Sequence, residues 1–230
     1  MNEGLEVLGD KPGQEERDGA VFAGSGIESV RIPSTLKAIE AHTFCDCKSL
    51  DIVELSEGLE TIGTGAFAKS GVDNVVLPSS LRSISGWAFA FCERLRRVQL
   101  NEGLQALGVK ELYRGKAICG RVFASSALKA ITIPSTLTEI DPTVFEGCSD
   151  IKRIEFLEGR EVLGKNEEDA GAWNKIFRSN KVERVVLPST LKEISLGAFR
   201  DCDALKVVRI ANSRGQNQLT SNSAKEQKNE

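Results

Sequence analysis

The sequence repeats itself, and this repetition constrains the possible folds more than any other feature. Four segments start with Pro-Ser and share one pattern; they are Pro33–Leu55, Pro78–Leu100, Pro134–Phe156 and Pro188–Ile210. They alternate with four related segments marked by Glu-Gly, of which the plainest is Ser56–Leu77. We call the two types Pro-Ser units and Glu-Gly units. One such unit cannot bury its apolar face alone, so the units must stack into a solenoid.

Every unit carries Leu-x-x-Ile or a variant of it, a phenylalanine in one register, and a short apolar run at its end. The phenylalanines are Phe22, Phe44, Phe67, Phe89, Phe123, Phe145, Phe177 and Phe199. Equivalent positions of a solenoid lie above one another, so we predict a continuous buried column of rings. The apolar runs are rich in β-branched residues and predict one short parallel strand per unit.

The repeat defines one domain of eight units followed by a tail. The predicted units span residues 2–32, 33–55, 56–77, 78–100, 101–133, 134–156, 157–187 and 188–210. Residues 211–230 are polar, with Leu219 as the one large aliphatic residue, and are predicted to be disordered.

The pattern L-xx-I-x-I-P-xx-L-xx-I-xxx-A-F-xx-C resembles the BspA-like leucine-rich repeats of bacterial and protist surface proteins. The resemblance covers Gly4 to Ile210. It implies an α/β solenoid, that is, a curved leucine-rich repeat with one parallel β-sheet on the concave face and short helical or irregular turns on the convex face. Family members include adhesins and host-binding antigens, and many have no assigned partner.

Charge and hydropathy exclude several classes of partner. The net charge of −3 and the pI near 5.5 argue against binding to nucleic acid or to an anionic membrane surface. No apolar run approaches the roughly 20 residues that cross a bilayer, and no signal peptide is visible at the N-terminus. We therefore expect a location inside the cell. The first unit begins without a polar cap, so the chain is expected to be a fragment or to dock that end on another subunit.

The cysteines are predicted to fill the core. Four of them share one slot in alternate units; they are Cys47, Cys92, Cys148 and Cys202. Members two units apart are separated by roughly 10 Å of sheet, which is too far for a disulfide. His42, Cys45 and Cys47 are metal-ligand types, but a fourth ligand is not evident, so we expect no metal site. Cys119 falls in an insertion, where it could be exposed and reactive.

The residue pattern does not favour catalysis. His42 is the one histidine, and the abundant serines, lysines and carboxylates form no nucleophile–base set. The glycines recur at turn positions of the repeat, which leaves no phosphate-binding loop. We therefore expect neither an enzyme activity nor a cofactor.

Side chains at the third and fifth positions of each strand run should point outward. The candidate partner-binding residues on this face are Arg97, Gln99, Arg153, Glu155, Arg184 and Arg209. Arg153 and Arg184 are predicted to lie side by side as like charges, which favours an acidic ligand group. The alternative is a solvated strand face whose charges pair among themselves, as Arg31 and Glu54 are predicted to do.

Three insertions enter at the same place in their units and should project from one edge of the solenoid. They lie around Asp10–Gly19, Val109–Cys119 and Lys165–Trp173. Tyr113 and Trp173 are candidate aromatic anchors for a partner. Alternatively, Trp173 folds back over its own loop.

These observations favour a non-catalytic protein-binding module or a structural subunit of a larger assembly. The expected partner is a protein with an acidic or mixed surface. The alternative is a cell-surface adhesin of the BspA-like kind that binds a host or matrix protein. A third interpretation is an accessory domain of an enzyme.

Overall fold

The computed structural model of the chain describes residues 7–8, 20–109, 112–113, 116–117, 120–164 and 167–211. Its strands are β1 (Val7–Leu8), β2 (Ser29–Ile32), β3 (Ala38–Ile39), β4 (Ile52–Leu55), β5 (Thr61–Ile62), β6 (Asn74–Val76), β7 (Ser83–Ser85), β8 (Arg97–Gln99), β9 (Ala106–Val109), β10 (Leu112–Tyr113), β11 (Lys116–Ala117), β12 (Ala130–Ile133), β13 (Glu139–Ile140), β14 (Arg153–Phe156), β15 (Val162–Leu163), β16 (Arg184–Leu187), β17 (Glu193–Ile194) and β18 (Val207–Ile210). Helix α1 (Glu167–Ser179) is the one helix in the described ranges. The predicted tail lies outside them except for Ala211.

The strands form two series of parallel neighbours, so the chain is a parallel β-solenoid of about seven turns. The main ladder contains the strands at the unit ends; these are β2, β4, β6, β8, β12, β14, β16 and β18. The second ladder contains short strands at the Leu-x-x-Ile positions; these are β1, β3, β5, β7, β9, β13, β15 and β17. The sequence predicted the main ladder as the one sheet. The second ladder is a correction to that prediction, and its strands of mostly two residues are too short to show alternation.

The third side of each coil is a turn that carries the phenylalanine. The amide of Phe44 donates to the carbonyl of Ala66 at 2.7 Å, and Phe67 donates in the same way to Ala88 at 2.8 Å. The rings stack with centroids 4.8 to 5.7 Å apart. They form two runs, from Phe22 to Phe145 and from Phe177 to Phe199. The column predicted to be continuous is therefore interrupted where α1 carries Phe177.

Four of the cysteines occupy the slot three residues after the phenylalanine of their unit. In the first six units it alternates between serine and cysteine, as in Ser126 and Cys148. The Cys148 thiol donates to the carbonyl of Phe123 at 2.9 Å and lies 3.4 Å from the Ser126 hydroxyl. Cys47 and Cys92 repeat the thiol–carbonyl contact at 3.0 and 3.1 Å. Burial raises the pKa of Cys92 to about 11 and also raises the pKa of Cys148, so these two thiols are structural groups and not reactive ones.

A second repeated contact joins a Glu-Gly unit to the Pro-Ser unit that follows it. The Glu57 carboxylate accepts bonds from the Ser79 amide, the Ser79 hydroxyl and the Ser80 amide, each at 3.0 Å. Glu102 and Glu158 bind the equivalent serine and threonine in the same way. We call these three contacts the glutamate clamps. The glycine after each glutamate has φ between +102° and +114°, and a Cβ at Gly58 would lie 2.2 Å from the Ser34 carbonyl oxygen.

Both contacts occur at only one of the two kinds of junction between units. The clamps and the serine–cysteine contacts lie where a Glu-Gly unit precedes a Pro-Ser unit. The main ladder follows this division only in part. The junctions of this kind pair three or four residues, as in β2 with β4 and β12 with β14. At the opposite kind of junction β8 and β12 share the single pair Gln99↔Thr132, and β4 and β6 belong to different sheets. The third junction of this kind, between β14 and β16, pairs three residues. Two junctions of the main ladder are thus weak, and we call them the seams; they lie between β4 and β6 and between β8 and β12.

The clamps predict a loss of stability in acid. Hydrogen bonds from the Ser79 and Ser189 amides hold the pKa values of Glu57 and Glu158 below the ordinary value. Burial raises the pKa of Glu102, but its serine and threonine donors outweigh this and the pKa is lowered. A carboxyl whose folded pKa is depressed stabilises the fold above its unfolded pKa of about 4.3, and this contribution is lost as the pH falls through the folded pKa. We expect a triple Glu57→Gln, Glu102→Gln, Glu158→Gln variant to melt lower at pH 7 and to change less between pH 6 and pH 3.

Melting curves followed by circular dichroism across this pH range measure the effect. The matched control is Glu139→Gln, which removes an exposed carboxylate outside the clamps. Equal pH dependence of the triple variant and the wild type would show that the clamps do not stabilise the folded state.

The seams predict a pattern of amide exchange. The amides of Asp51 and Arg96 each donate at 2.9 Å to the coil before them, at junctions where a Glu-Gly unit precedes a Pro-Ser unit. The structure records no such bond from Asp73 or Lys129, the equivalent residues at two seams within the described ranges. We expect Asp73 and Lys129 to exchange with deuterium at least about tenfold faster than Asp51 and Arg96, because unbonded amides lack protection. Equal protection of all four amides, measured by NMR, would refute the weakness of these two seams.

Candidate functional site

The main strand face is the outer surface of the main ladder. On β14, Arg153 is exposed and Glu155 half-buried, whereas Ile154 and Phe156 are buried. Strands β8 and β16 alternate in the same way, with Arg97 and Gln99 exposed on β8 and Arg184 exposed on β16. Strand β18 does not alternate, since its first three residues are half-buried and Ile210 is exposed. The structure therefore places the six candidate strand residues on one face, at the outward positions that the sequence indicated.

The charges on this face are partly paired. Arg31 Nε lies 2.6 Å from Glu54 Oε2 on the neighbouring strand, as predicted. Arg153 and Arg184 are partners in the parallel register of β14 and β16, and Arg153 Nη2 lies 2.7 Å from Glu155 Oε2. Glu155 thus neutralises Arg153 from its own strand. Arg184 takes part in no ion pair within the described part of the chain.

The remaining candidates have different surroundings. Gln99 Nε2 donates to Asn101 Oδ1 at 3.0 Å, so Gln99 is held against the strand end. Arg209 is half-buried on β18 beside Val186, and its Nε is buried without a hydrogen bond. Arg97 is exposed on β8, and no ion pair of the described residues includes it.

Sequence reasoning missed two features of the same face. Lys129 is exposed and directly precedes β12. It is the second residue of its strand run, so it was not among the outward third and fifth positions. It has no ion pair among the described residues. Ile52 and Val76 are each 56% exposed on β4 and β6. The face therefore combines an apolar end with a basic end. The sequence indicated the apolar end, because Ile52 and Val76 occupy outward positions of their strand runs.

Trp173 is not a surface anchor. Its side chain is 1% exposed, because α1 packs Trp173, Ile176 and Phe177 into the core with helical spacing. The indole lies edge-on to Phe156 with centroids 4.9 Å apart. The alternative expectation, in which Trp173 covers its own segment, describes the structure better, and the prediction of Trp173 as a partner-binding residue is wrong.

Arg160 accounts for the position of Trp173. It occupies a slot that holds leucine in the neighbouring units, such as Leu137 and Leu191, and it is 6% exposed. Its guanidinium carbon lies 5.8 Å from the Phe156 ring centroid and 5.9 Å from that of Trp173, and Nη2 donates to the Leu137 carbonyl. A cation in a leucine slot requires aromatic and carbonyl partners, which α1 and the preceding coil supply.

The structure describes the other insertion residues incompletely. Residues 10–19 lie outside the described ranges, as does Cys119. Tyr113 is described only as backbone, in the antiparallel hairpin of β10 and β11, so its predicted role as an anchor stays a prediction. On the turn side, Phe91 is 39% exposed, and its ring centroid lies 5.9 Å from that of the half-buried Trp87.

The described residues hold no cluster of three metal-ligating side chains. Cys47 points to the Phe22 carbonyl in the core, so it is turned away from any site with His42. Within these ranges, no helix combines the length and the apolar character of a membrane-spanning segment.

The burial of Trp173 predicts a large effect on stability. Replacement by alanine removes the ring that packs on Phe156 and Phe177 and leaves a cavity, so Trp173→Ala should lower the free energy of unfolding by about 3–5 kcal/mol. Lys175→Ala on the exposed side of the same helix should change it by less than about 0.5 kcal/mol. Urea unfolding measures both values. A cost for Trp173→Ala as small as that of the lysine control would contradict the buried position.

Comparison with known proteins agrees with the repeat geometry. A model of the BspA type leucine rich repeat region matches residues 17–116, 116–167 and 171–224, with six copies. No curated protein matches the chain.

Two solved structures share the fold. The pneumococcal vaccine antigen PcpA superposes with a TM-score of 0.55 at 22% identity, covering 80% of this chain and 45% of the antigen chain. The leucine rich repeat protein of T. pallidum superposes with a TM-score of 0.53 at 23% identity, covering 77% of this chain and 78% of that one. The present chain thus spans less than half of the pneumococcal antigen structure. The matched repeats and the parallel solenoid together show that the chain belongs to the BspA-type leucine-rich repeat family.

Proposed function

We propose that this chain binds a protein partner through its main strand face and catalyses no reaction, either as a module or as a structural subunit. The family supports this proposal, because leucine-rich repeats generally serve as binding or scaffold regions. The face supplies both kinds of contact that protein interfaces use, since exposed aliphatic residues lie beside arginines.

The adjacent Arg153 and Arg184 carry the argument. Neighbouring strands lie about 4.8 Å apart, so two guanidinium groups project from one short stretch of surface. Glu155 engages Arg153 at 2.7 Å, which leaves one net positive charge at this point. A partner carboxylate would neutralise Arg184, whose planar donor fork binds that group through two hydrogen bonds.

The expected partner surface is mixed. Ile52 and Val76 lie on β4 and β6, whereas Arg97, Arg153 and Arg184 lie on strands further along the same ladder. A partner that covers the face would place apolar groups over the first pair and acidic groups over the arginines. The net charge of −3 for the whole chain makes this basic area a local feature, so a protein fits it better than a polyanion does.

The test is a quantitative pull-down from a lysate of the source organism, analysed by mass spectrometry. The bait variants are the wild type and Arg153→Glu/Arg184→Glu. The matched control is Lys69→Glu/Lys175→Glu, which makes the same charge change at exposed residues on the turn side and on α1. We expect the wild type and the control to enrich the same partner. The Arg153→Glu/Arg184→Glu variant should recover at least about tenfold less of that partner.

Two controls make the outcome decisive. Circular dichroism and melting curves must show that all three proteins are folded. Enrichment of the same proteins at the same level by all three would rule out recognition through this part of the main strand face.

Adhesion to a host or matrix protein is the second candidate function, since the pneumococcal vaccine antigen shares the fold. It differs from the first in the location of the partner. Binding of the purified chain to immobilised matrix proteins, lost in the Arg153→Glu/Arg184→Glu variant, would support adhesion. A partner found only in the lysate would exclude it.

A further inference from the structure

The main ladder opens between β8 and β12, and a groove of about 810 Å³ lies at this seam. Its walls combine apolar groups with polar and basic ones. The lining residues that matter here are Arg96, Arg97, Gln99, Asn101, Lys129 and Thr132. The two strands meet at the pair Gln99↔Thr132 and separate toward their starts, which gives the groove a closed end and an open end.

Backbone donors are left free at the open end. At the junction of β14 and β16, the amides of Glu183 and Arg184 both donate to the Lys152 carbonyl, at 3.0 and 2.9 Å. The equivalent donors at the groove are Lys129 and Ala130, and the equivalent acceptor is Arg96. The structure shows no hydrogen bond between them in this described stretch. Because the repeat directs these amides toward the preceding coil, they face the groove.

The charges of the groove are unbalanced toward positive. Asp73 is its acidic residue, and this carboxylate is engaged by Arg96 Nη1 at 3.5 Å and by Asn74 Nδ2 at 3.0 Å. Arg97 and Lys129 have no ion pair within the described ranges. The comparable opening between β4 and β6 has Asp51 and Asp73 at the same positions, so basic character distinguishes the β8–β12 seam.

We propose that this groove binds a carboxylate side chain of an extended acidic peptide segment. The Arg97 fork and the Lys129 ammonium group supply the charge, and the amides of Lys129 and Ala130 donate to the same carboxylate. Gln99 and Asn101 line the closed end and offer hydrogen bonds to the peptide backbone. The inference rests on the proposed function, since it assigns a recognition element of the partner to one position on the main strand face.

An acidic peptide fits the groove better than a sulphated polysaccharide does. Among the described residues that line the groove, two charges are unpaired, Arg97 and Lys129, and the paired Asp73 carboxylate forms part of the wall. A polyanion would need a longer run of cations with no acid among them. Single carboxylates spaced along an extended chain match two cations and two amides.

The experiment measures binding of a defined peptide by fluorescence anisotropy. The probe is an acetylated, amidated and labelled octapeptide of alternating glutamate and threonine. Its counterpart has glutamine in place of each glutamate. We expect the glutamate peptide to bind the wild type, the glutamine peptide to bind at least about tenfold more weakly, and the Arg97→Gln/Lys129→Gln variant to lose about tenfold in affinity for the glutamate peptide.

Two further variants make the result specific. Arg97→Lys keeps the charge and removes the planar fork, so it should weaken binding less than a single Arg97→Gln substitution, measured beside it, does. Lys175→Gln removes one positive charge from the exposed side of α1 and should leave the affinity unchanged. Unchanged peptide binding in the Arg97→Gln/Lys129→Gln variant, or absence of binding to the folded wild type, would overturn the proposal.

A heparin hexasaccharide serves as the competing ligand. If the hexasaccharide binds the wild type more tightly than the peptide does, and if this binding is lost in the Arg97→Gln/Lys129→Gln variant, the groove recognises sulphated sugars and the peptide proposal is wrong. The pull-down distinguishes the proposed function from the groove proposal. If the pull-down recovers a partner that depends on Arg153 and Arg184 but the octapeptide does not bind, the proposed function stands and only the groove proposal is refuted.

Discussion

The spacing of about 4.8 Å between hydrogen-bonded coils is the constraint on which the rest of the structure depends. It places every slot of one coil over the same slot of the next, so a residue is favourable there only if its neighbours can stack on it. Phenylalanine meets this condition, with rings 5.1 Å apart at Phe44 and Phe67. The same rule brings Arg153 beside Arg184 on the surface, where stacking like groups costs free energy instead of gaining it.

Alternation of two unit types lets a side chain bind a different side chain on the next coil. A hydrogen bond between coils needs a donor on one coil and an acceptor on the next. Serine and cysteine alternate in one slot, and glutamate faces serine or threonine in the turns, as at Glu102 and Ser135. Each contact therefore exists at every second junction. The two irregular places are both at the other kind of junction: the β8–β12 seam is open, and the second ladder is interrupted between β13 and β15. Such a junction is not always irregular, since β14 and β16 pair three residues.

The sequence was sufficient to predict the features that recur in every unit, but not those that occur once. The main strands and their outward residues follow from slots seen eight times, with alternation visible in runs such as Arg153–Phe156. Strands of two residues such as Thr61–Ile62 leave no such trace. Trp173 lies in an insertion with no equivalent to compare, and its burial depends on α1 and Arg160. The groove arises from hydrogen bonds that are missing between distant residues, which no local pattern reports.

Pairing of units also governs how an array of this kind can change its length. Removal of residues 56–100 would join Leu55 to Asn101, and Asn-Glu-Gly-Leu would then follow where Ser-Glu-Gly-Leu stood. Every remaining clamp and every serine–cysteine contact would keep its partner. Loss of one unit alone would instead set two units of the same type against each other, with glutamate facing glutamate or proline facing proline across the turn. Duplications and deletions are therefore tolerated two units at a time, and lineages of such chains should differ by even numbers of repeats.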